Sequence, residues 1–271
     1  MRDDSEGLRR LLSSKDLFIL DGDGTLYIWD KPLPFASVLL KRILKAGKRF
    51  VITSNNDSKS KSSRKKQLEM MLRVKISDEN LLLPNDLLIE FFKRKNVRSF
   101  DGLVTDGLEK ELIREGFVHD TSDPDIVVIG FDLDLTYEKL KRTIEHIKQH
   151  KKIVLTHMDD FCPYKNGLEI PDAGILMRIV SEATKKLPDY TLGKPSVNAV
   201  DHAMKMGNSD KEHSIIIGDR PGMDIKMAND SGVDSILLLA NKNMARASDR
   251  VYKPNLRIRS LASVYGALDE L

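Results

Sequence analysis

The sequence predicts an α/β protein with largely parallel sheets, and two observations support that prediction. Short apolar runs alternate with amphipathic stretches along most of the 271 residues, which is the pattern of repeated strand–helix units. Polar side chains directly follow several of the apolar runs, as in parallel sheets that bind a ligand beyond the carboxyl ends of their strands. We therefore expect strands that run largely parallel, with helices in the connections between them.

Two strand–helix units are predicted in the first part of the chain. The apolar run 17–20 indicates a buried strand, and residues 35–48 have helical spacing that ends near Gly47. A second strand is expected over 49–53, followed by a helix over 60–72. The lysines and arginines of 59–66 are typical of a solvated helix face, because few aromatic residues accompany them.

The second half of the chain repeats the alternation. Four apolar runs predict strands there, with one helix between the first two and another between the last two. The predicted strands are 125–130, 151–156, 213–218 and 234–240, and the predicted helices are 137–150 and 223–232.

Composition excludes several classes of protein. The formal net charge of +3 is small for this length and does not favour nucleic-acid binding. Cys162 is the only cysteine, so no intramolecular disulfide can form. No apolar run approaches the ~20 residues that span a bilayer, and the first residues lack the apolar core of a secretory signal. We expect a cytoplasmic protein without a membrane partner.

The stretch "FILDGDGTLYIWD" presents three alternatives. Asp21 and Asp23 are each followed by glycine, and Asp-Gly between apolar runs is typical of a hairpin. An EF-hand starting at Asp21 requires glycine at 26 and glutamate at 32, whereas the sequence has Leu26 and Pro32. The third alternative is a ligand site at the strand end, with both carboxylates facing one cleft.

Other strand ends favour the ligand site. Ser54 and Asn55 follow the second strand, and Asp219 follows the strand 213–218. Asp224 comes five residues later, and Lys194 lies between a glycine and a proline. Each has an ordinary explanation, since aspartate is favoured at helix caps and a lone lysine is usually solvated. Helix capping and solvation explain single residues of this kind more easily than they explain all of them together.

At this point the sequence resembles a known family. The motifs D-x-D-G-T-L, Ser-Asn-Asn, G-K-P and G-D-R-x-x-x-D-I occur in the order found in the haloacid dehalogenase (HAD) superfamily. Further motifs resemble the NagD and nitrophenylphosphatase-like sugar phosphatases, so that the resemblance covers nearly the whole chain. They lie at 127–140, 155–163, 166–174 and 191–196.

The resemblance implies a Rossmann-like HAD core, with a parallel sheet flanked by helices, that is interrupted by a large α/β cap. We expect the core at 1–79 and 190–271, and the cap at 80–189. Ser54 and Lys194 are about 140 positions apart, which leaves room for an inserted domain of ordinary size.

The resemblance also implies a magnesium-dependent phosphatase. Asp21 is then the nucleophile and a metal ligand, and Asp23 protonates the leaving alcohol and contributes its backbone carbonyl to the metal. Asp219 is a further Mg²⁺ ligand, while Asp224 either holds a metal-bound water or orients Lys194. Clustered carboxylates beside a phosphate dianion need Mg²⁺ and a lysine to balance their charge.

Substrate contacts are less tightly specified by the motifs. Ser54, Asn55 and Lys194 are expected to bind the phosphoryl group, although Thr53 is an alternative for the gripping hydroxyl. Asp57 and Met223 stand where the family more often has serine and threonine.

Residues of the cap are weaker candidates. His157 and Asp159 are candidate contacts for the leaving group. An equal alternative is that their segment is an ordinary loop in which the aspartate only stabilises a turn. His146 and His150 have the i,i+4 spacing of zinc ligands, but the pattern H-E-x-x-H is missing. We expect a solvated helix end there.

The predicted function is hydrolysis of small phosphorylated metabolites, most of all sugar phosphates, by an aspartyl-phosphate route. The alternatives are a phosphotransferase or mutase on the same core and a non-catalytic protein that binds phosphorylated metabolites. Nucleic-acid binding is a distant fourth. The resemblance also implies that homodimers are common in such proteins.

Overall fold

Two α/β units make up the described part of the chain. The computed structural model describes residues 5–164, 168–239 and 251–270. Unit 1 comprises Met1–Ser54, Lys65–Leu82 and Lys194–Leu271, and unit 2 comprises Asn55–Arg64 and Leu83–Gly193. No helix in these described ranges is long and apolar enough to cross a bilayer.

The division lies close to the predicted domain boundaries. It falls within about four residues of the boundaries after 79 and after 189. It differs at 55–64, which the sequence assigns to the core and which packs with unit 2. The naming of the two units as core and cap stays a prediction.

The secondary structure matches the predicted alternation of strands and helices. The first strands are β1 (Leu17–Asp21), β2 (Tyr27–Ile28), β3 (Lys31–Pro32), β4 (Arg49–Thr53), β5 (Leu81–Leu82), β6 (Ser99–Leu103) and β7 (Val118–His119). The later strands are β8 (Ile126–Ile129), β9 (Lys152–Leu155), β10 (Phe161–Pro163), β11 (Glu169–Pro171), β12 (Tyr190–Thr191), β13 (Ser214–Gly218), β14 (Asp234–Leu238) and β15 (Leu256–Ile258). The helices are α1 (Ser5–Ser13), α2 (Ala36–Lys45), α3 (Lys61–Leu72), α4 (Pro84–Lys95), α5 (Asp106–Arg114), α6 (Tyr137–Lys148), α7 (Ala173–Thr184), α8 (Val197–Met206), α9 (Lys226–Ser231) and α10 (Leu261–Asp269).

Unit 1 is built on a parallel sheet with the strand order β15–β14–β13–β1–β4–β5. The pairs β1–β13 and β1–β4 are both parallel, and all five residues of β1 are buried. A strand buried on both faces has an uninterrupted apolar sequence, which is why 17–20 could be identified from the sequence. The helix α2 ends just before Gly47, as predicted, and Gly47 adopts a φ of +71°.

A short hairpin follows the first strand of this unit. β2 and β3 pair antiparallel, with Tyr27 opposite Pro32, and the turn contains Trp29 at a φ of +58°. Tyr27 is fully buried. The hairpin alternative for the opening stretch is therefore correct for 27–32 and not for the Asp-Gly pairs.

Unit 2 has its own parallel sheet, with the order β12–β9–β8–β6–β7. Residues of β8 and β9 pack with α6 and α7 in an apolar core that includes Val127, Ile153 and Met177. Side chains of Thr105, Thr136 and Asp172 cap the N-termini of α5, α6 and α7. β10 and β11 form a separate antiparallel pair. Two residues of the predicted motif 166–174, at 166 and 167, lie outside the described residues.

A buried carboxylate in unit 2 corrects the expectation for His146. Asp101 has no exposed surface and accepts hydrogen bonds from Arg142 Nε at 2.5 Å and Nη2 at 2.9 Å. His119 Nε2 lies 2.9 Å from Asp101 Oδ1, and His146 Nε2 lies 3.2 Å from Oδ2. His146 is only 4% exposed, so the prediction of a solvated position was wrong. Helical spacing shows which residues share a face but not what that face meets.

We expect Asp101→Asn to lower the free energy of unfolding by about 2 kcal/mol, the cost of lost hydrogen bonds to a charged group. Burial raises the pKa of Asp101, but hydrogen bonds from Arg142 and His119 outweigh it and hold the pKa below its usual value. The stabilisation is therefore present at neutral pH. It is lost progressively as the pH falls from about 4, the ordinary pKa of aspartate, through the lower pKa of the folded carboxyl. Urea denaturation followed by circular dichroism measures the difference at each pH.

Asp123→Asn is the matched control for this variant. Asp123 pairs with Lys151 through a side chain that is 83% exposed, and such surface pairs contribute about 0.5 kcal/mol or less. A loss as small as that for Asp101→Asn, or one that does not shrink in acid, would contradict the role given to the Asp101 network.

Candidate active site

Three strand ends of unit 1 place polar side chains at one edge of its sheet. Asp21 is the last residue of β1, Ser54 follows β4, and Asp219 follows β13. These strands are parallel neighbours, so their carboxyl ends meet at the same edge. All three residues are buried, with exposed fractions of 2%, 5% and 7%.

The loop after β1 is shaped by its two glycines. The N–H of Gly22 donates to the carbonyl of Thr53 at 3.0 Å, and the N–H of Gly24 donates to that of Tyr27 at 2.8 Å. Gly24 has a φ of +93°, and a Cβ at this position would overlap the carboxylate of Asp219. The second Asp-Gly pair therefore has glycine because only a residue without a side chain fits there.

The two aspartates of this loop have different environments. Asp21 is 2% exposed, whereas Asp23 is half-buried and forms a bridge with Tyr27. Neighbouring carboxylates in different surroundings can take different protonation states and different chemical roles.

Lys194 lies between two of the predicted acidic residues. Its Nζ donates to Oδ1 of Asp21 and, at 2.9 Å, to Oδ1 of Asp224. The second oxygen of Asp224 accepts the backbone N–H of Arg220 at 3.1 Å. The structure therefore brings together residues from three separate strand–loop segments, as the motifs predict.

Asp224 is positioned by a short π-helical turn over Pro221–Ile225, which leads into α9. Its side chain is fully buried against Gly218, where a Cβ would overlap the carboxylate. The glycine at the end of β13 thus permits the close approach that puts Asp224 beside Lys194.

Burial and like charge raise the pKa of the acidic residues. Burial, and then the charge of Asp224, raise the pKa of Asp21 to about 6, although Lys194 opposes this. Burial and the charges of Asp21 and Asp224 also hold the pKa of Asp219 well above its usual value. Burial would lower the pKa of Lys194, but the two carboxylates that it contacts outweigh it and raise that pKa.

The acidic residues have donor atoms arranged for a cation. One carboxylate oxygen from each of Asp21, Asp219 and Asp224 can be chosen so that all lie within 4.8 Å of one another. Asp21 Oδ2 and Asp219 Oδ1 are buried and have no hydrogen-bond partner within the described ranges. Unpaired buried carboxylate oxygens are costly, and a bound cation would compensate them.

Thr53 and Ser54 differ in what surrounds their hydroxyls. Thr53 Oγ1 donates to the carbonyl of Leu20 at 3.5 Å, which turns it toward the neighbouring strand. The backbone N–H of Ser54 donates to Leu82 at 3.2 Å and fixes the residue just beyond β4.

The remaining predicted residues lie together in unit 2. Asn55 Nδ2 donates to Asp159 Oδ2 at 3.2 Å, and His157 Nδ1 lies 3.9 Å from the same oxygen. His157 is fully buried and Asp159 is 7% exposed. Two further carboxylates, which the sequence does not predict at this place, lie beside this histidine: those of Asp57 and Asp172.

The signals for the missed residues were weak. Asp57 was noticed only as a departure from the family pattern, and Asp172 only as part of the motif 166–174. Arg220 was part of a quoted motif without a role, yet its charge lowers the pKa of both Asp21 and Asp219. Nothing in the spacing of these residues along the chain indicates their proximity in space.

Comparisons with known proteins show the family of the chain. A family model described as haloacid dehalogenase-like hydrolase matches residues 18–118, and one described as HAD-hydrolase-like matches 191–264. The solved structure of a 4-nitrophenylphosphatase from Thermotoga maritima superposes with a TM-score of 0.87 at 33% identity, covering 95% of this chain and 99% of that one.

Curated relatives match over similar lengths. The glycerol-3-phosphate phosphatase of Homo sapiens is 25% identical, covering 97% of this chain and 94% of that protein. The sugar-phosphatase AraL of Bacillus subtilis (strain 168) is 26% identical, covering 96% and 98%.

The chain belongs to the haloacid dehalogenase-like hydrolases, in the group of NagD and nitrophenylphosphatase-like enzymes. Within that family it is a phosphatase, an enzyme that hydrolyses phosphate monoesters. The expectations of fold class, family and enzyme class are confirmed.

Proposed function

We propose that this phosphatase hydrolyses small phosphorylated metabolites, sugar phosphates above all, through a phosphorylated Asp21 and with Mg²⁺ bound by its acidic residues. The observation that carries the proposal is the buried contact of Lys194 with both Asp21 and Asp224 at the carboxyl end of β1. It holds one carboxylate in place at the position where a parallel sheet binds ligands.

Asp21 is the proposed nucleophile. Lys194 fixes one of its oxygens and favours the ionised form, which is the form that attacks phosphorus. A new O–P bond forms as the bond from phosphorus to the alcohol oxygen breaks, which leaves an aspartyl phosphate and an alcohol.

Asp23 is the proposed acid and base. It donates a proton to the departing alcohol oxygen in the first step. In the second step it accepts a proton from water, whose oxygen attacks the phosphorus, so that Asp21 and inorganic phosphate are released. Asp23 is half-buried on the same loop as Asp21. This position supports the exchange of protons between Asp23 and the alcohol or water, a task that the proposed nucleophile Asp21 does not have.

Ser54 is the proposed phosphate-binding hydroxyl, with Asn55 next to it in the chain. The contact of Thr53 with Leu20 points the threonine hydroxyl at the backbone of β1, and this supports the choice of Ser54. Lys194 adds positive charge for the phosphoryl oxygens.

The acidic residues fit Mg²⁺. The donor set of Asp21, Asp219 and Asp224 consists of hard carboxylate oxygens, which this ion prefers. The unpartnered oxygens of Asp21 and Asp219 are available as ligands, with the carbonyl of Asp23 as a further one. When bound, the ion neutralises negative charge on the transferring phosphoryl group.

Asp224 is better suited to orienting Lys194 than to direct metal binding. Both of its oxygens already accept hydrogen bonds, one from Lys194 and one from Arg220. Of the two roles that the sequence leaves open, this arrangement supports the orienting one.

The substrate class follows from the relatives. They are named as phosphatases of glycerol 3-phosphate, sugar phosphates and 4-nitrophenyl phosphate, which are all small monoesters. His157 and Asp159 remain the sequence-predicted contacts for the leaving group, and that assignment stays a prediction.

Release of inorganic phosphate from a panel of sugar, glycerol and nucleotide phosphates tests the proposal. Chelation of divalent ions with EDTA should lower the rate by at least about 100-fold, because the charge stabilisation that a metal supplies amounts to several kcal/mol. Added Mg²⁺ should restore it. Activity that persists in EDTA would contradict the metal assignment, and transfer of phosphate to a second hydroxyl without release would favour a mutase.

A further inference from the structure

A second group of buried ionisable residues lies in unit 2, and the proposed mechanism does not use it as a unit. We call Asp57, His157, Asp159 and Asp172 the histidine–carboxylate cluster. Their exposed fractions are 0%, 0%, 7% and 4%. Asp57 belongs to the segment 55–64, His157 and Asp159 follow β9, and Asp172 caps α7.

The distances from the His157 ring to the carboxylates are longer than ordinary hydrogen bonds. His157 Nε2 lies 3.5 Å from Asp172 Oδ1 and 3.6 Å from Asp57 Oδ1, and Nδ1 lies 3.9 Å from Asp159 Oδ2. Nitrogen–oxygen hydrogen bonds are about 2.7–3.2 Å long. Ligands of a four-coordinate ion with bonds of 2.0–2.1 Å stand about 3.4 Å apart. The two distances from Nε2 therefore suit groups that share an ion with that nitrogen.

Two buried atoms of the cluster lack partners. His157 Nε2 and Asp57 Oδ2 have no hydrogen-bond partner in the part of the chain that the structure describes. Among the described residues, His157 Nδ1 has one hydrogen-bond donor in range, the backbone N–H of Asp159 at a long 3.4 Å. Gly130 permits the close approach of the Asp57 carboxylate, because a Cβ at position 130 would lie only 2.7 Å from Oδ2. A buried imidazole nitrogen without a hydrogen-bond partner is costly. Nε2 of His157 faces two carboxylates, those of Asp57 and Asp172.

The carboxylates are held in position from outside the cluster. Asp57 Oδ1 accepts the N–H of Phe131 at 3.2 Å, and Asp159 Oδ2 accepts Nδ2 of Asn55 at 3.2 Å. Asp172 Oδ1 accepts the first backbone N–H of α7 at 2.7 Å. Donors of this kind orient the ligands in metal sites, and here they fix three carboxylates around one ring.

The cluster also has a negative charge to compensate. Three carboxylates, those of Asp57, Asp159 and Asp172, are buried around the single imidazole of His157. A divalent cation would supply two positive charges at one point among them.

We propose that His157, Asp159 and Asp172 bind a divalent transition-metal ion of the Zn²⁺ type, with Asp57 as the neighbouring fourth carboxylate. One ligand atom from each of the first three residues can be chosen so that all lie within 4.8 Å of one another. An imidazole among the ligands favours Zn²⁺ and its transition-metal neighbours, whereas Mg²⁺ and Ca²⁺ take oxygen ligands.

The ion would have a structural role. It would tie the end of β9 to the start of α7 and to the segment 55–64, all within unit 2. This site differs from the acidic residues of unit 1 in its nitrogen ligand, and it does not depend on the proposed catalytic mechanism.

Binding of Co²⁺ to the full chain tests the proposal, because Co²⁺ substitutes for Zn²⁺ and absorbs visible light. The metal-free chain is titrated with Co²⁺, and bound ions are counted by equilibrium dialysis. We expect His157→Asn to lose one bound Co²⁺ per chain relative to the unsubstituted protein. Asp219→Asn, which weakens the acidic residues of unit 1, should keep the His157-dependent ion. Equal Co²⁺ contents with and without His157 would overturn the proposal.

A second measurement covers the case in which His157→Asn does not fold. Nitrogen NMR of the histidine rings in the unsubstituted chain is recorded before and after addition of Zn²⁺. We expect the His157 ring nitrogen to shift by tens of parts per million on binding, while the exposed His213 stays within a few. A His157 signal that responds to pH but not to Zn²⁺ would show that the cluster binds protons only, and would overturn the proposal.

Discussion

Asp21→Asn is expected to lower the rate of phosphate release by about 10⁴-fold or more, which is the effect of removing a catalytic nucleophile. Asparagine has nearly the same shape and can still accept a hydrogen bond from Lys194, so the fold should persist. What is lost is the ionised oxygen that forms the bond to phosphorus. Steady-state release of phosphate, with circular dichroism as a check of folding, measures the change.

Asp230→Asn is the control for loss of one aspartate charge from unit 1. Asp230 pairs with Lys226 on α9, and its side chain is 40% exposed, so activity should stay within about twofold of the unsubstituted enzyme. Phosphate release by Asp21→Asn at a rate near that of this control would rule out Asp21 as the nucleophile.

Lys194→Met is expected to abolish most activity and to lower the free energy of unfolding by about 3–5 kcal/mol. That is the usual cost of removing one partner of a buried ion pair, because the remaining charge is left uncompensated. Here Asp21 and Asp224 would lose the ammonium group that both contact. Urea denaturation in the absence of divalent ions gives the stability.

Two further variants separate the charge effect from simple loss of packing. Lys226→Met removes a lysine whose partner is a surface carboxylate, and we expect a change of about 0.5 kcal/mol or less. The double variant Asp21→Asn with Lys194→Met should be more stable than Lys194→Met alone, since one uncompensated carboxylate has been removed. A double variant no more stable than the single one would mean that packing, and not charge, explains the loss.

The fold could be predicted from the sequence wherever local pattern determines structure. β1 is buried on both faces, and its apolar run made it visible without knowledge of its neighbours. The grouping of Asp21 and Asp219 was predictable because both follow parallel strands of one sheet, whose ends align. Lys194 follows β12, which belongs to the other sheet, so its place in the group was expected only from the motif G-K-P and the resemblance. Their chemical roles rest on the resemblance and stay predictions.

Contacts between distant segments could not be predicted. His146 was placed in solvent because helix periodicity does not show that Asp101 lies beneath it. Two of the carboxylates around His157 could not be linked to it: Asp57 lies 100 positions earlier in the chain and Asp172 fifteen positions later, and no spacing rule joins them. The assignment of the segment 55–64 to unit 2 could not be predicted either. Its contacts depend on tertiary packing, which a local pattern does not encode.

The interrupted arrangement of unit 1 has a consequence for its synthesis on the ribosome. Asp21 and Lys194 are 173 positions apart, so at 5–20 residues per second the lysine emerges about 10 to 35 s after the aspartate. β1 can pair with β4 at once, but the edge that receives β13 stays open until unit 2 has been made. The ion pair between Asp21 and Lys194 therefore cannot form until the segment of unit 2 between them has been made.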